Sequence, residues 1–380
     1  MASREGKVRM RRTGNRGQVL IVFLGALLAL LGVAALGIDV GYLYTVRHEL
    51  QRCTDAGALA GASAFLSGNW SDGATRSVAD GRARAFAAKD KVATAILSAE
   101  SEVAVAFPSL NRVRVDATRN VNLFFARLFI GPTKTITAYS VAEASVVDTN
   151  VKGLQPWGIP YPWEDTNGND LFDPWETVHK DCPEGVLDTS RYFCPGTRVI
   201  LKIGTPKNSP ENPSGLPSLQ QESGHFFALA LDGTGGSVYR DTIANGSNTP
   251  VTVGDAVSLE PGNMVGPTRQ GTNDLIDADR NSLWNDATGL PESSLYHAGD
   301  GSWMNSPRVI RIPIYDPEVA LNNGRTDMVI AGFGGFWIES IENHQGTVIG
   351  RYIPMRAFGQ AGPAAGPTAG PVLKTLRLVE

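Results

Sequence analysis

The sequence predicts an α+β protein on a single membrane helix. That helix runs on as a helical stalk, leads into a small α+β module, and gives way to a mostly β, loop-rich ectodomain. Three observations predict this. Residues 19–38 are twenty positions without a charge. Between about 40 and 147 the hydrophobic period changes from helical to alternating. Beyond about 150, turn residues recur every few positions and strand-like runs are short.

The apolar run reads VLIVFLGALLALLGVAALGI. At 1.5 Å per residue it is about 30 Å long, the thickness of a bilayer's hydrocarbon core. Arg4, Lys7, Arg9, Arg11, Arg12 and Arg16 precede it against one acid, Glu5. Positive flanks stay in the cytoplasm, so 1–18 is expected inside and everything after Asp39 outside. The rival reading is a cleaved signal peptide, for which Ala35 and Gly37 are suitably small. The run exceeds the usual apolar region of roughly 7–15 residues and enters further helix without a turn signal, which favours a retained anchor.

Composition agrees. The formal net charge is −4, and residues 1–18 contribute +5, leaving −9 on the remainder. An acidic body argues against nucleic acid as a partner. The 42 Gly and 23 Pro fit a body rich in turns. Cys182 and Cys194 bracket a short loop, and outside the cytoplasm such a pair oxidises. A bond there would stabilise by about 3 kcal/mol in the chain-entropy model; the alternative is two buried thiols. No CxxC pair points to a zinc ribbon. Cys53 is left over.

From 39 onward, Leu43, Val46, Leu50, Cys53, Gly57, Ala60 and Ala64 fall on one helical face, with Arg47, Gln51 and Thr54 off it. The stripe shrinks to Gly and Ala, so the distal half is expected to pack closely on another element. Cys53 in the stripe reads as a small buried hydrophobe, with an intermolecular disulfide as the sharper alternative. Ser67-Gly68-Asn69 ends the helix. A second helix is expected over about 73–90. Val103, Val105 and Phe107, then Val113 and Val115, alternate around a turn at 108–111 and predict a hairpin. NLFFARLFIG predicts a short helix closed by Gly131, and TITAYSVAEASVV a returning strand. These elements make residues 39–150 a small α+β module.

In 151–357 the expected strands are RVILKI, HFFALAL, RVIRIPIY, DMVIAGFGGFWIESI and VIGRYIPM, with no long helical periodicity. Trp157, Trp163, Trp175, Trp284 and Trp303 sit in the loops, either as a ligand surface or as local mini-cores. Residues 358–370, rich in Gly, Pro and Ala, read as a linker. Residues 371–380 alternate enough to form a terminal strand docking on the body.

The stretch RRTGNRGQVLIVFLGALLALLGVAALGIDVGYLYTVRHELQRCTDAGALAGASAF resembles the N-terminal module of the TadE/TadG-like Flp pilus-assembly proteins. The resemblance lies in the Arg-Gly-Gln entry, in Gly37-Ile38-Asp39-Val40-Gly41 and in the Gln51–Ala56 run. It extends through the strands to about 147. LDGTGG, EPGNMVGPTRQG, FGGFWIES and TLRLVE are similar to phrases in longer members. Two features depart from relatives. Gly17 is followed by Gln18, with Val22 at the fifth position, so the prepilin processing pattern is absent. No Asp-x-Ser-x-Ser metal motif is present, since Asp188-Thr189-Ser190 continues Arg191-Tyr192, so a von Willebrand A domain is not implied.

One metal signature stands out. Asp165, Asn167, Asn169, Asp173 and Glu176 occupy positions 1, 3, 5, 9 and 12 of an EF-hand-type loop, and Leu171 at position 7 would offer its carbonyl. Alternating oxygens can wrap one hard cation, and the last Glu can chelate with both oxygens. Calcium is the expected ion, in a structural role. Position 6 is Asp170 rather than Gly, a residue that still tolerates a left-handed turn. The alternative is a solvated Asx-rich turn. A second acidic stretch with Asn273, Asp274, Asp277, Asp279, Asn281 and Asp286 lacks the terminal Glu and reads as a solvated loop. No HExxH, GxSxG or Walker pattern supports an enzyme. Gly332, Gly334 and Gly335 read as a glycine-rich bend in a sheet rather than a dinucleotide loop.

The resemblance implies a bacterial inner-membrane protein with a cytoplasmic N-terminus. Its expected partners are pilus or secretion-apparatus proteins and, as a single-pass chain, the membrane; homo-oligomerisation stays open. The competing expectation is an anchored carbohydrate- or surface-binding module.

Overall fold

The computed structural model describes residues 16–66, 73–169, 171–180, 182, 192–204, 226–299, 301–319, 327–342, 346–355, 360–361 and 373–379. The basic segment 1–15, the helix end at 67–69, Asp188–Ser190 and nearly all of the 358–370 linker lie outside them. The architecture is α+β, with one long N-terminal helix, shorter helices and many strands. Contacts divide the chain into two units, Met1–Gly57 with Arg84–Ala104 and Val115–Ser140, and Ala58–Ala83 with Val105–Arg114 and Val141–Glu380.

The first unit is organised on the helix Arg16–Ala62. Val19 to Ile38 is exposed at almost every position, and burial sets in at Asp39. Val46, Leu50, Cys53 and Gly57 are buried, as the stripe predicts. Thr54 is a correction: it is fully buried rather than off the packed face. Its hydroxyl lies 2.9 Å from Ser140 Oγ, which also accepts from Gln51 Nε2 at 2.8 Å. A helix surface that packs on a polar strand can bury a hydroxyl when the bond is made. The segments 115–122 and 133–140 come from the strands Arg112–Asn122 and Thr133–Thr149, joined through the short helix Arg127–Ile130. Gly131, at φ 99°, ends that helix in a conformation that favours glycine. A small hairpin, Lys91–Val92 with Ala95–Ile96, is held when Ala93 N–H donates to Glu49 Oε2 at 2.8 Å.

The second unit contains a six-stranded sheet. Ile159–Pro160, Val309–Tyr315, Asp327–Glu342, Thr347–Tyr352 and Arg198–Lys202 lie in that order, and Ala256–Ser258 pairs with the start of Asp327–Glu342. Gly334 and Gly335 sit mid-strand opposite Ile312 and Arg311. A Cβ on Gly335 would meet Met355 and the Ile353 carbonyl, so the glycine there serves a close approach. The terminal strand forms as expected: Lys374–Leu378 runs antiparallel to 142–146. Arg377 and Arg112 both pair with Glu143, whose side chain is wholly buried. Lys374 Nζ donates to the Phe65 carbonyl at 3.1 Å. The small-residue end of the long helix packs closely here, since a Cβ on Gly61 would lie 2.9 Å from Val113 Cγ1 and 3.0 Å from Ala83 Cβ.

Two expectations fail in this unit. Helices Gly236–Asn245 and Val265–Ala278 pack on each other where no helix was expected. Their Gly, Pro, Thr and Asn content hides the period; packing of Tyr239, Ile243 and Leu275 overrides weak propensity. Asn273, Asp274 and Asp277 therefore lie on a helix rather than in a loop, and Asp279 is buried against Ser306 Oγ at 2.5 Å. HFFALAL does not form a strand over its described residues, 226–231. Phe227 has φ 65°, which breaks extension, and among the described residues the pairing is limited to the bridges Trp157↔Ala228 and Leu229↔Leu259.

Candidate functional site

Three groupings carry the chemistry the sequence pointed to. The first is the Asx-rich loop. Asp165 Oδ1 accepts from the N–H groups of Gly168 at 2.8 Å and Asn169 at 3.1 Å. Asn167 and Asn169 donate side-chain amides to Asp173 Oδ2 at 2.7 and 3.1 Å. Glu176, nearly buried, takes Thr166 N–H on Oε1 at 2.8 Å and Asp173 N–H on Oε2 at 3.0 Å. Leu171 donates its N–H to Asn169 Oδ1 at 2.7 Å. The loop thus curls on itself and draws Asp165, Asn167, Asn169, Asp173 and Glu176 into one turn. Among the described residues no group of three or more His, Cys, Asp or Glu is placed to hold a metal ion. A cation set here would draw on the two Asn oxygens as well as the carboxylates.

The second is the cysteine pair. Cys182 and Cys194 form a disulfide, with Cα atoms 5.1 Å apart, while Cys53 is free and buried.

The third is the junction where the apolar run ends. Asp39 is 1 % exposed. Its carboxylate accepts backbone N–H groups from Phe124 at 2.8 Å, Phe125 at 2.9 Å and Ala126. Burial alone would raise its pKa, but the three donors together outweigh it and hold the carboxyl below its ordinary value. Tyr42 stacks edge-on against Phe124 with ring centroids 5.2 Å apart. The Gly-x-Asp-x-Gly segment was legible in the sequence as a motif; this clasp was not, because its partners lie more than eighty positions away.

Four of the five loop tryptophans pack into or against the core. Trp157, Trp163 and Trp303 are buried, Trp157 Nε1 donates to Tyr239 Oη at 2.8 Å, and Trp284 stacks near Trp337. Only Trp175 of the five is largely exposed. Among the described residues, open clefts of about 690 and 470 Å³ lie on the second unit. The smaller is floored by Arg308, whose guanidinium is consumed by the carbonyls of Ile338, Glu339, Asp279 and Ser282. Those bonds spend the cation on structure.

Comparison with known proteins adds two matches. Residues 17–64 match the Tad family, described as "Putative Flp pilus-assembly TadE/G-like", and residues 48–142 match Tad_C, "Putative Tad-like Flp pilus-assembly". The N-terminal third of the chain is Tad-like. The Tad-like region holds the apolar run, the Asp39 clasp and the Gln51–Ser140 contact. Neither matched family is an enzyme family. Comparison with curated proteins finds no match, and comparison with solved structures finds none. The Tad-like helix is long and apolar enough to cross a membrane, with a mean hydropathy of 2.9 in its most apolar window and none of that window buried.

Proposed function

We propose that this chain is a single-pass envelope component of a Flp/Tad-type pilus assembly or a related secretion apparatus, acting through protein–protein contacts. The observation that carries the reading is the match of both Tad families over one continuous stretch, 17–142. It is supported by an apolar run of bilayer length with no cover inside the protein. The anchor sits in the bacterial inner membrane, with 1–18 in the cytoplasm and the rest outside, following the basic flank. The disulfide fits an extracytoplasmic body. A photo-crosslinking residue at exposed Phe86 or Ile96 tests the partner class in living cells. Adducts with a protein of the pilus or secretion apparatus are expected. Adducts only with unrelated envelope proteins, or none at either site, would overturn the reading.

We further propose calcium as a structural ion in the Asp165–Glu176 loop. The supporting observation is that Glu176 reaches back to the N–H groups of Thr166 and Asp173 while Asp173 accepts from Asn167 and Asn169 and Asp165 accepts from Gly168, which gathers the five positions into one turn. Two Asn in place of Asp reduce the charge, which suits the millimolar affinities of extracellular sites.

A further inference from the structure

The first unit ends, beside the anchor, in an apolar tip that the functions above leave unused. Leu128, Phe129 and Ile130 are 82, 80 and 66 % exposed, and Phe124 and Phe125 are about half exposed. Five large apolar side chains within seven residues are a costly surface in water. Their position along the helix is fixed at two levels. Gln51 Nε2 donates to the Tyr139 carbonyl and Ser140 Oγ at 3.0 and 2.8 Å. Twelve residues earlier, Asp39 takes the N–H groups of Phe124, Phe125 and Ala126. At 1.5 Å per residue the second level lies about 18 Å closer to the bilayer than the first. Within the first unit, the paired segments 115–122 and 133–140 therefore run toward the bilayer side by side, and the turn joining them is their membrane-proximal end.

Asp39 is the first charged residue after the apolar run, so it marks the level where hydrocarbon gives way to headgroups. The clasp holds the tip at that level. Exposed Arg127 and Lys134 lie within and beside the apolar residues, and exposed Tyr44 lies nearly two turns, about 9 Å, beyond the apolar run. Cations and tyrosine around an apolar centre are the composition of a membrane–water interface.

We infer that residues 124–130 form a lipid-binding tip, with Leu128, Phe129 and Ile130 inserted among the acyl chains of the leaflet that the anchor exits. This rests on the membrane-anchored reading. The occupant is lipid rather than a protein because the clasp sets the depth, and at that depth lipid surrounds the anchor. Buried in this way, the tip would give the first unit a second attachment point and fix its orientation on the membrane surface.

The test uses the full chain in vesicles of phosphatidylethanolamine and phosphatidylglycerol. Nitroxide labels are placed singly through Leu28→Cys, Ile96→Cys, Leu128→Cys and Phe129→Cys, and accessibility to oxygen and to a nickel chelate is compared. Cys53 is buried and the other two cysteines are bonded, so labelling is selective. Labels at Leu28, Leu128 and Phe129 are expected to favour oxygen several-fold over the label at Ile96. Adding Phe129→Asp should shift the Leu128 label toward the nickel reagent. If Leu28 favours oxygen while Leu128 and Phe129 favour nickel, the tip is wrong and the anchor stands. If Leu28 itself favours nickel, the anchored reading fails and takes the tip with it. Labels at 128 and 129 shielded from both reagents would mark a protein contact and overturn the lipid assignment.

Discussion

Lys202 offers a quantitative test of the second unit's packing. The residue ends the strand Arg198–Lys202 and is fully buried. Its Nζ donates to Asn263 Oδ1 at 2.7 Å and to the Asn263 carbonyl, both neutral acceptors. Burial pushes the ammonium down to a pKa of about 7. An unfolded lysine titrates near 10.4. Between those values the unfolded chain holds a proton that the folded chain has released, so raising pH favours folding. The contribution is smallest below pH 7, grows as pH rises, and is complete above the unfolded value. Integrated from pH 7 to 9, it amounts to about 2 kcal/mol. Cys53 pulls the other way, because burial raises its thiol and the unfolded thiol ionises near pH 8.5. The informative quantity is therefore the difference between wild type and Lys202→Met. Urea unfolding of the full chain in detergent, followed by fluorescence of the buried tryptophans, measures it at both pH values. Wild type should gain about 2 kcal/mol relative to the variant on going from pH 7 to 9. Parallel pH profiles for the two proteins would refute the argument that Lys202 is desolvated.

Three further outcomes follow from particular contacts. Gly61→Val should destabilise by about 1–3 kcal/mol, because its side chain would overlap Val113 and Ala83; Gly81→Ala, in open space on a helix, should be neutral or stabilising by up to about 1 kcal/mol in the same denaturation assay. Glu143→Gln should cost about 1.5–3 kcal/mol by weakening bonds to Arg112 and Arg377. Burial would raise the Glu143 pKa, but Arg377, Arg112 and Ser145 together lower it. Its stabilisation is thus present above the unfolded carboxylate value and lost as pH falls through the folded one, and acid titration of the variant should lack that loss. Added calcium should raise the melting temperature of wild type but not of Asp165→Ala with Glu176→Ala, and an equal rise in both would place any ion elsewhere.

Much of the N-terminal third was legible because its signals are local. The apolar run, the stripe through Val46, Leu50 and Cys53, and the alternation in Arg112–Asn122 each follow from one period within one element. The disulfide was legible because only one pair of cysteines brackets a short loop. The helices Gly236–Asn245 and Val265–Ala278 were not, since glycine, proline and threonine obscure their period and tertiary packing decides their state. HFFALAL looked like a strand by composition, and a single positive φ at Phe227 breaks it. Thr54 and Ser140 could not be paired from sequence, because a buried hydroxyl pair leaves no local pattern. The Asp39 clasp is the same case: the motif was visible, whereas its three donors come from a turn distant in the chain.

The most direct measurement of the central claim is a count of surface Flp filaments by electron microscopy after deletion of the gene. A protein that serves pilus assembly predicts loss or a severalfold reduction of filaments. Filament number should be restored by the full chain, and not by a chain whose Tad-like segment 17–142 is replaced with an unrelated single-pass anchor and spacer. Normal filament numbers in the deletion strain, or full restoration by the replaced chain, would contradict it.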